Sequence, residues 1–309
     1  MSKGRTLILV NFFSLLAWWL ILTLTGSRDG LGNTFFNLGM GLYAFALSLA
    51  TAVSTHNYPV IILQKTPVTM IALGMVLFGF GTMLWFYYDF VRGIETAFPS
   101  FSDVLYVIQY PIYVFGIIQL SEKRMDARVV FSNLLKSVIF AAIFGGLMYV
   151  VVSLLFHQSD LKTYLLYYYM VESFSMMMLS TYIYVTRAAD WGKTVAMSFV
   201  YIILGQAAWF VGDCFFFYGI VTNTLFNANY SDLLYLTGVF LVLFGSTAIV
   251  EGSAEEGFFS PIGPVYFQKT SVYNAIDLHL RRLSVWLLSK QPRGVGNVPN
   301  RANTHVFPV

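Results

Sequence analysis

Eight apolar runs, each about a bilayer's worth of helix, constrain this chain more than any motif in it. They cover approximately residues 6–25, 34–54, 68–90, 103–121, 134–156, 162–186, 194–220 and 231–250. About 20 apolar residues wound as an α-helix span the hydrocarbon core of a membrane. Inside that core, backbone groups have no water to bond to, so each run must satisfy its own N–H and C=O groups as a helix. Charge is scarce enough to permit this. Asp, Glu, Lys and Arg make up 11% of the chain, against roughly 25% in soluble domains. The expectation is an all-α membrane protein with about eight transmembrane helices. Lys3 and Arg5 precede the first run as they would in a signal peptide. That run is longer than a signal sequence's apolar core and no small-residue cleavage site follows it, so it reads as a retained helix.

The cations set the orientation. With the N-terminus inside, fifteen Lys and Arg residues fall on the inner side, and only Arg28, Arg92 and Lys162 fall outside. This is a strong positive-inside bias. It predicts a multi-pass protein of the cell membrane with both termini cytoplasmic. The lipid bilayer is its first partner, and no nucleic acid is expected.

Two blocks recur. Gly81-x-x-x-Trp85-Phe86-x-x-Asp89 returns as Gly205-x-x-x-Trp209-Phe210-x-x-Asp213, 124 residues later. Ser102-Asp103-Val104-Leu105-Tyr106 returns as Ser231-Asp232-Leu233-Leu234-Tyr235, 129 residues later, and Gly116 and Gly245 keep that second register. Helices three and four thus match seven and eight. Four is even, so the halves, about 1–121 and 134–250, would be parallel repeats within a polytopic domain of residues 1–250.

Beyond Val250 the composition changes. Residues 251–309 read as a cytoplasmic tail. Within it, 272–289 place Val272, Ile276, Leu280, Leu283 and Leu287 at helical spacing, opposite Asp277, Arg281 and Ser284. This predicts an amphipathic helix, lying on the inner leaflet or packed on the bundle or on a partner. A protein partner or a second copy engaged through the tail is expected.

Most soluble-enzyme chemistry has no foothold. Cys214 is the single cysteine, which excludes an internal disulfide and any CxxC site. The four histidines lie far apart and in no ligand pattern. There is no P-loop, GxGxxG or GxSxG. No cofactor, metal or catalytic residue is assigned. What remains is acid at the edge of the apolar zone. Asp89 ends helix three, Asp103 and Asp232 begin helices four and eight, Asp213 lies within helix seven, and Glu172 lies mid-run in helix six. All five fall in the outward half. Eight acids against three cations there leave a net charge of −5 on the outer side. A carboxyl in such a place must be protonated, hydrogen-bonded or paired. These five, with Trp85, Trp209 and Tyr168, are the candidate ligand-binding residues. Each has a plainer use. Ser100-x-x-Asp103 and Asn229-x-x-Asp232 have the form of helix caps, Asp89 simply ends its helix near Arg92, and the tryptophans suit packing or an interfacial belt. Pro111, two turns into helix four, predicts a kink.

The run Pro99-Ser100-Phe101-Ser102-Asp103-Val104-Leu105-Tyr106-Val107-Ile108-Gln109-Tyr110-Pro111 resembles the P-S-x-A-D-x-x-Y-L-x-x-Y-P motif of membrane input regions in prokaryotic sensor histidine kinases and diguanylate cyclases. Ser102 stands in place of Ala and Val107 in place of Leu. The resemblance implies a sensor-like helical bundle. Residues 251–309 are too short for a kinase or cyclase module, so the bundle is expected without its output domain. A weaker similarity is to lysoplasmalogenase-type membrane hydrolases, with Asp89 and Asp213 as the acids, although the Gly-His pair sought after the second acid is missing. A third class, a cation- or proton-coupled transporter, would use Glu172 and Asp213. The leading expectation is a non-enzymatic, sensor-like or complex-forming subunit with an outward-facing acidic and aromatic cavity.

Overall fold

Many polar residues among those described are buried, and many of the largest apolar residues are exposed. Asn37, Gln109, Glu172 and Gln206 lie inside, while Phe13, Ile21, Leu154, Val185 and Val221 stand on the outer surfaces of helices. Such a surface is unsuited to water and suited to lipid.

The structure, a computed structural model, describes residues 3–26, 30–57, 62–94, 98–122, 127–156 and 161–255. Among them are eight α-helices and no strand: α1 Lys3–Thr25, α2 Leu31–Asn57, α3 Ile62–Phe86, α4 Phe101–Leu120, α5 Ala127–Phe156, α6 Leu161–Arg187, α7 Lys193–Thr222 and α8 Tyr230–Glu255. Six of them, α1 to α4, α7 and α8, are long and apolar enough to cross a membrane. This is an all-α, multi-pass membrane protein. Of the tail expected from residue 251, residues 251–255 continue α8; the rest of it, with the amphipathic helix expected at 272–289, lies outside the described residues.

Close backbone approach builds the bundle. The α2–α3 crossing brings Gly79 against the Phe45 backbone N–H and the Gly41 carbonyl, and a Cβ on Gly79 would collide with both. At the α7–α8 crossing, Gly238 faces the Gly205 carbonyl and the Trp209 ring in the same way. Small residues at such crossings let dispersion contacts between helices replace the hydrophobic drive that lipid removes. α1 lies along α8 and α2, and α5 along α4 and α6. At the end of the bundle that holds the N-terminus of α1, Arg5 pairs with Glu251 across α1 and α8. Its guanidinium also sits 5.9 Å from the centroid of the Phe244 ring.

Two local features shape the opposite end of the bundle. α3 finishes in one π-helical turn, Tyr87–Val91, which carries Asp89. Such a turn re-aims side chains and recurs at functional sites. α7 ends at Asn223 with φ +54°, the left-handed conformation in which Asn is tolerated. The chain then runs through 224–229 into α8. α4 itself continues unbroken through Pro111.

Candidate functional site

A cavity of about 110 Å³ lies where α3 and α7 end and α4 and α8 begin. Four carboxyl groups line it: Asp103, Glu172, Asp213 and Asp232. Its aromatic walls include Phe78, Trp85, Trp209 and Phe216, and Met40 and Met176 add apolar surface. No Lys, Arg or His is among the lining residues.

The capping acids do two jobs. Ser100 caps α4, accepting from the Ser102 N–H at 3.2 Å, and its own N–H donates to Asp103 Oδ2. The other oxygen, Asp103 Oδ1, accepts from the Tyr169 hydroxyl of α6. At α8, Asn229 Oδ1 accepts from the Ser231 N–H at 2.6 Å, and the Asn229 N–H donates to Asp232 Oδ2 at 3.2 Å. Capping and cavity lining are therefore not alternatives, because a carboxylate at N3 has a second oxygen to offer.

Asp213 and Glu172 have no capping role. The Tyr235 hydroxyl donates to Asp213 Oδ1 at 2.7 Å. In the first half of the chain, the hydroxyls of Thr82 and Tyr106 approach to 3.3 Å. Glu172 is 6% exposed, and its Oε2 has no hydrogen-bond partner. Four carboxyls sharing one buried space repel one another in any state where several carry charge. A cation placed among them would relieve that repulsion.

Asp89 lies one contact back from the cavity. Its Oδ2 accepts from Asn227 Nδ2 at 2.6 Å, and Asn227 itself is on the lining. Asn227 is a junction. Its Oδ1 accepts from Asn37 Nδ2 at 2.6 Å, and its backbone carbonyl accepts from Asn33 Nδ2 at 3.0 Å. Two residues on, the Asn229 carbonyl accepts from the Trp19 indole at 3.1 Å. The 224–229 segment is thereby tied to α1, α2 and the end of α3.

The cavity gathers six of the eight residues singled out in the sequence: Asp103, Glu172, Asp213, Asp232, Trp85 and Trp209. Asp89 reaches it only through Asn227. Tyr168 is a correction. It is buried against Tyr110 and Tyr164, while its neighbour Tyr169 faces the cavity. One residue on a helix is about 100° of rotation, so a run of tyrosines cannot all face one way. Trp85 and Trp209 also differ in setting. Trp209 is 3% exposed and packs on Phe78 and Tyr113, whereas Trp85 is half-buried beside Phe216. Sequence reasoning missed Asn37, Gln109 and Asn227 altogether. It passed over Tyr106 and Tyr235 although they sit in the repeated block. Their recurrence two residues past each Asp-x pair was the available signal.

No family model, no curated protein and no solved structure matches this chain.

Proposed function

We propose that this chain is a non-enzymatic, sensor-like membrane protein. It binds a ligand in the acidic, aromatic cavity and engages a protein partner or a second copy through residues 251–309. The observation that carries this reading is a set of four carboxyls around one cavity with no cation among its lining residues. The likeness of residues 99–111 to sensor input motifs agrees with it, since Asp103, Tyr106 and Gln109 of that run all line the cavity.

We read the bundle as eight spans in two parallel halves, α1–α4 and α5–α8, with the cavity on the axis between them. An offset of 131 relates α3 to α7, two helical turns from the 124 suggested by the tryptophans. It pairs Gly74 with Gly205, Gly81 with Gly212, and Thr82 with Asp213. The α4-to-α8 offset stays at 129. Contacts support this register. Gly81 packs on the Tyr106 ring as Gly212 packs on Tyr235, and Gly116 meets Pro67 and Ile71 as Gly245 meets Ser198 and Ile202. Paired residues also touch each other, as they must near a two-fold axis. The Phe78 and Trp209 rings are 5.6 Å apart, and Trp85 and Phe216 are 6.1 Å apart.

Burial of Glu172 at the cavity favours a second reading, a cation- or proton-coupled transporter with Glu172 and Asp213 on its path. The hydrolase reading gains no support, because Asp89 lies behind Asn227 and off the lining that holds Asp213.

The deciding experiment is gentle purification of the intact protein from membranes, with mass spectrometry of whatever accompanies it. The expected result is a stoichiometric protein partner, or a defined homo-oligomer, that is lost when residues 256–309 are deleted. A monomer with no partner, unchanged by the deletion, rejects the complex-forming part. A companion measurement tests the topology. In a Cys214→Ser background, an impermeant maleimide added to intact cells should label Asn223→Cys. It should label Ser121→Cys only after permeabilisation. The reverse pattern inverts the orientation and puts the cavity on the cytoplasmic side.

A further inference from the structure

The orphaned polar atoms around the cavity are all of one kind. Three lining residues have a buried side-chain atom without a hydrogen-bond partner: Asn37 through Oδ1, Gln109 through Oε1 and Glu172 through Oε2. Each residue is at least nine-tenths buried, at 5%, 5% and 6% exposure. All three atoms are acceptors. They come from three different helices, α2, α4 and α6. Leaving a buried acceptor unmade is costly, so a ligand that carries hydrogen-bond donors matches these lining residues better than one that carries acceptors.

From this, and resting on the cavity being a binding site, we infer that its ligand is a small protonated amine. An ammonium group has only N–H donors and no acceptor, which complements a lining whose orphans are all acceptors. Its positive charge complements Asp103, Glu172, Asp213 and Asp232. The rings of Trp85 and Trp209 suit the charge and the carbon body of an organic cation together. The space, several water molecules in volume, limits that body to a few heavy atoms. A metal ion is a poorer match. Among the described residues, no three carboxyl, thiol or imidazole groups come together as a metal site.

The test uses the full-length protein in lipid nanodiscs and follows tryptophan fluorescence and thermal stability during titration. The probes are n-butylammonium chloride, the isosteric neutral n-butanol, and sodium and calcium chloride at matched ionic strength. The expected result is a saturable response to butylammonium that butanol and the two salts do not give. In Glu172→Gln it should weaken about tenfold or more, the loss typical of a charged hydrogen bond. Gln109→Leu, which removes an acceptor and no charge, should weaken it several-fold. A butanol response equal to that of butylammonium overturns the cationic assignment and leaves the cavity as a binding site. Saturation by sodium or calcium alone overturns the amine in favour of a metal ion. Unchanged affinity in a folded Glu172→Gln variant also overturns it. No saturable response to any probe overturns the amine inference, while the ligand-binding reading beneath it stands or falls on what co-purifies with the protein. The wild-type comparison of amine with alcohol decides the question even where a variant fails to fold.

Discussion

Gly79→Leu is expected to abolish accumulation of folded protein. The Cβ alone would meet the Phe45 N–H and the Gly41 carbonyl, both backbone groups of α2. Neither can rotate away as a side chain can, so α2 and α3 would have to separate along their length. Overpacking a rigid contact costs about 3 kcal/mol or more, and separation would also forfeit the dispersion contacts that hold helices together in lipid. The loss would reach the cavity, because α2 brings Asn37 and Met40 to its lining and α3 brings Phe78, Thr82 and Trp85. Fluorescence-detected size-exclusion chromatography in mild detergent provides the readout. Gly146→Ala on α5 is the control, since nothing lies within 4 Å of its Cβ position. It should match the wild type. A monodisperse Gly79→Leu protein of normal thermal stability would mean that the α2–α3 crossing is looser than described.

Arg5→Met is expected to destabilise the protein by about 3 kcal/mol, the lower end of the cost of breaking a buried ion pair from one side. Glu251 is 7% exposed and would be left without its partner. The cation–π contact with Phe244 would go as well. The informative comparison is the double variant Arg5→Met, Glu251→Met. Replacing both members removes the stranded charge, and much of the lost stability should return. Thermal unfolding in detergent, compared across the wild type, two single variants and the double, measures this. If the double variant is as unstable as Arg5→Met alone, the cost lies in lost packing rather than in an orphaned carboxylate.

Helix formation was legible in the sequence because the membrane leaves an apolar run few other choices. The acids were legible because charge is rare in such runs, so Glu172 and Asp213 stood out against their neighbours. Which face each residue presents was not legible. Four tyrosines between Tyr164 and Tyr169 gave no phase, and the choice of Tyr168 over Tyr169 missed by one residue, enough to turn from cavity to packing. The repeat register is ambiguous for a related reason. Trp-Phe is a conspicuous pair at an offset of 124, but aromatic residues recur often in this chain, and the register proposed above follows glycines against rings instead. Asn227 was hidden for another reason. Nothing in the segment Thr224–Asn229 indicates that its side chains bond to residues about 190 positions earlier.

If the two halves are repeats in the proposed register, the pairing of Thr82 with Asp213 bears on how such a cavity could arise. A symmetric dimer of identical four-helix chains can place a side chain near its axis only in pairs. In the proposed register Asp103 and Asp232 would form such a pair, and Tyr106 and Tyr235 another, whereas Thr82 opposite Asp213 would not. Once both halves are carried on one polypeptide, a single substitution changes one side of the axis and leaves the other alone. The number of acids in the cavity can then be odd as well as even. Its two walls can also differ, so that a molecule with a distinct head and tail has one way in which to lie.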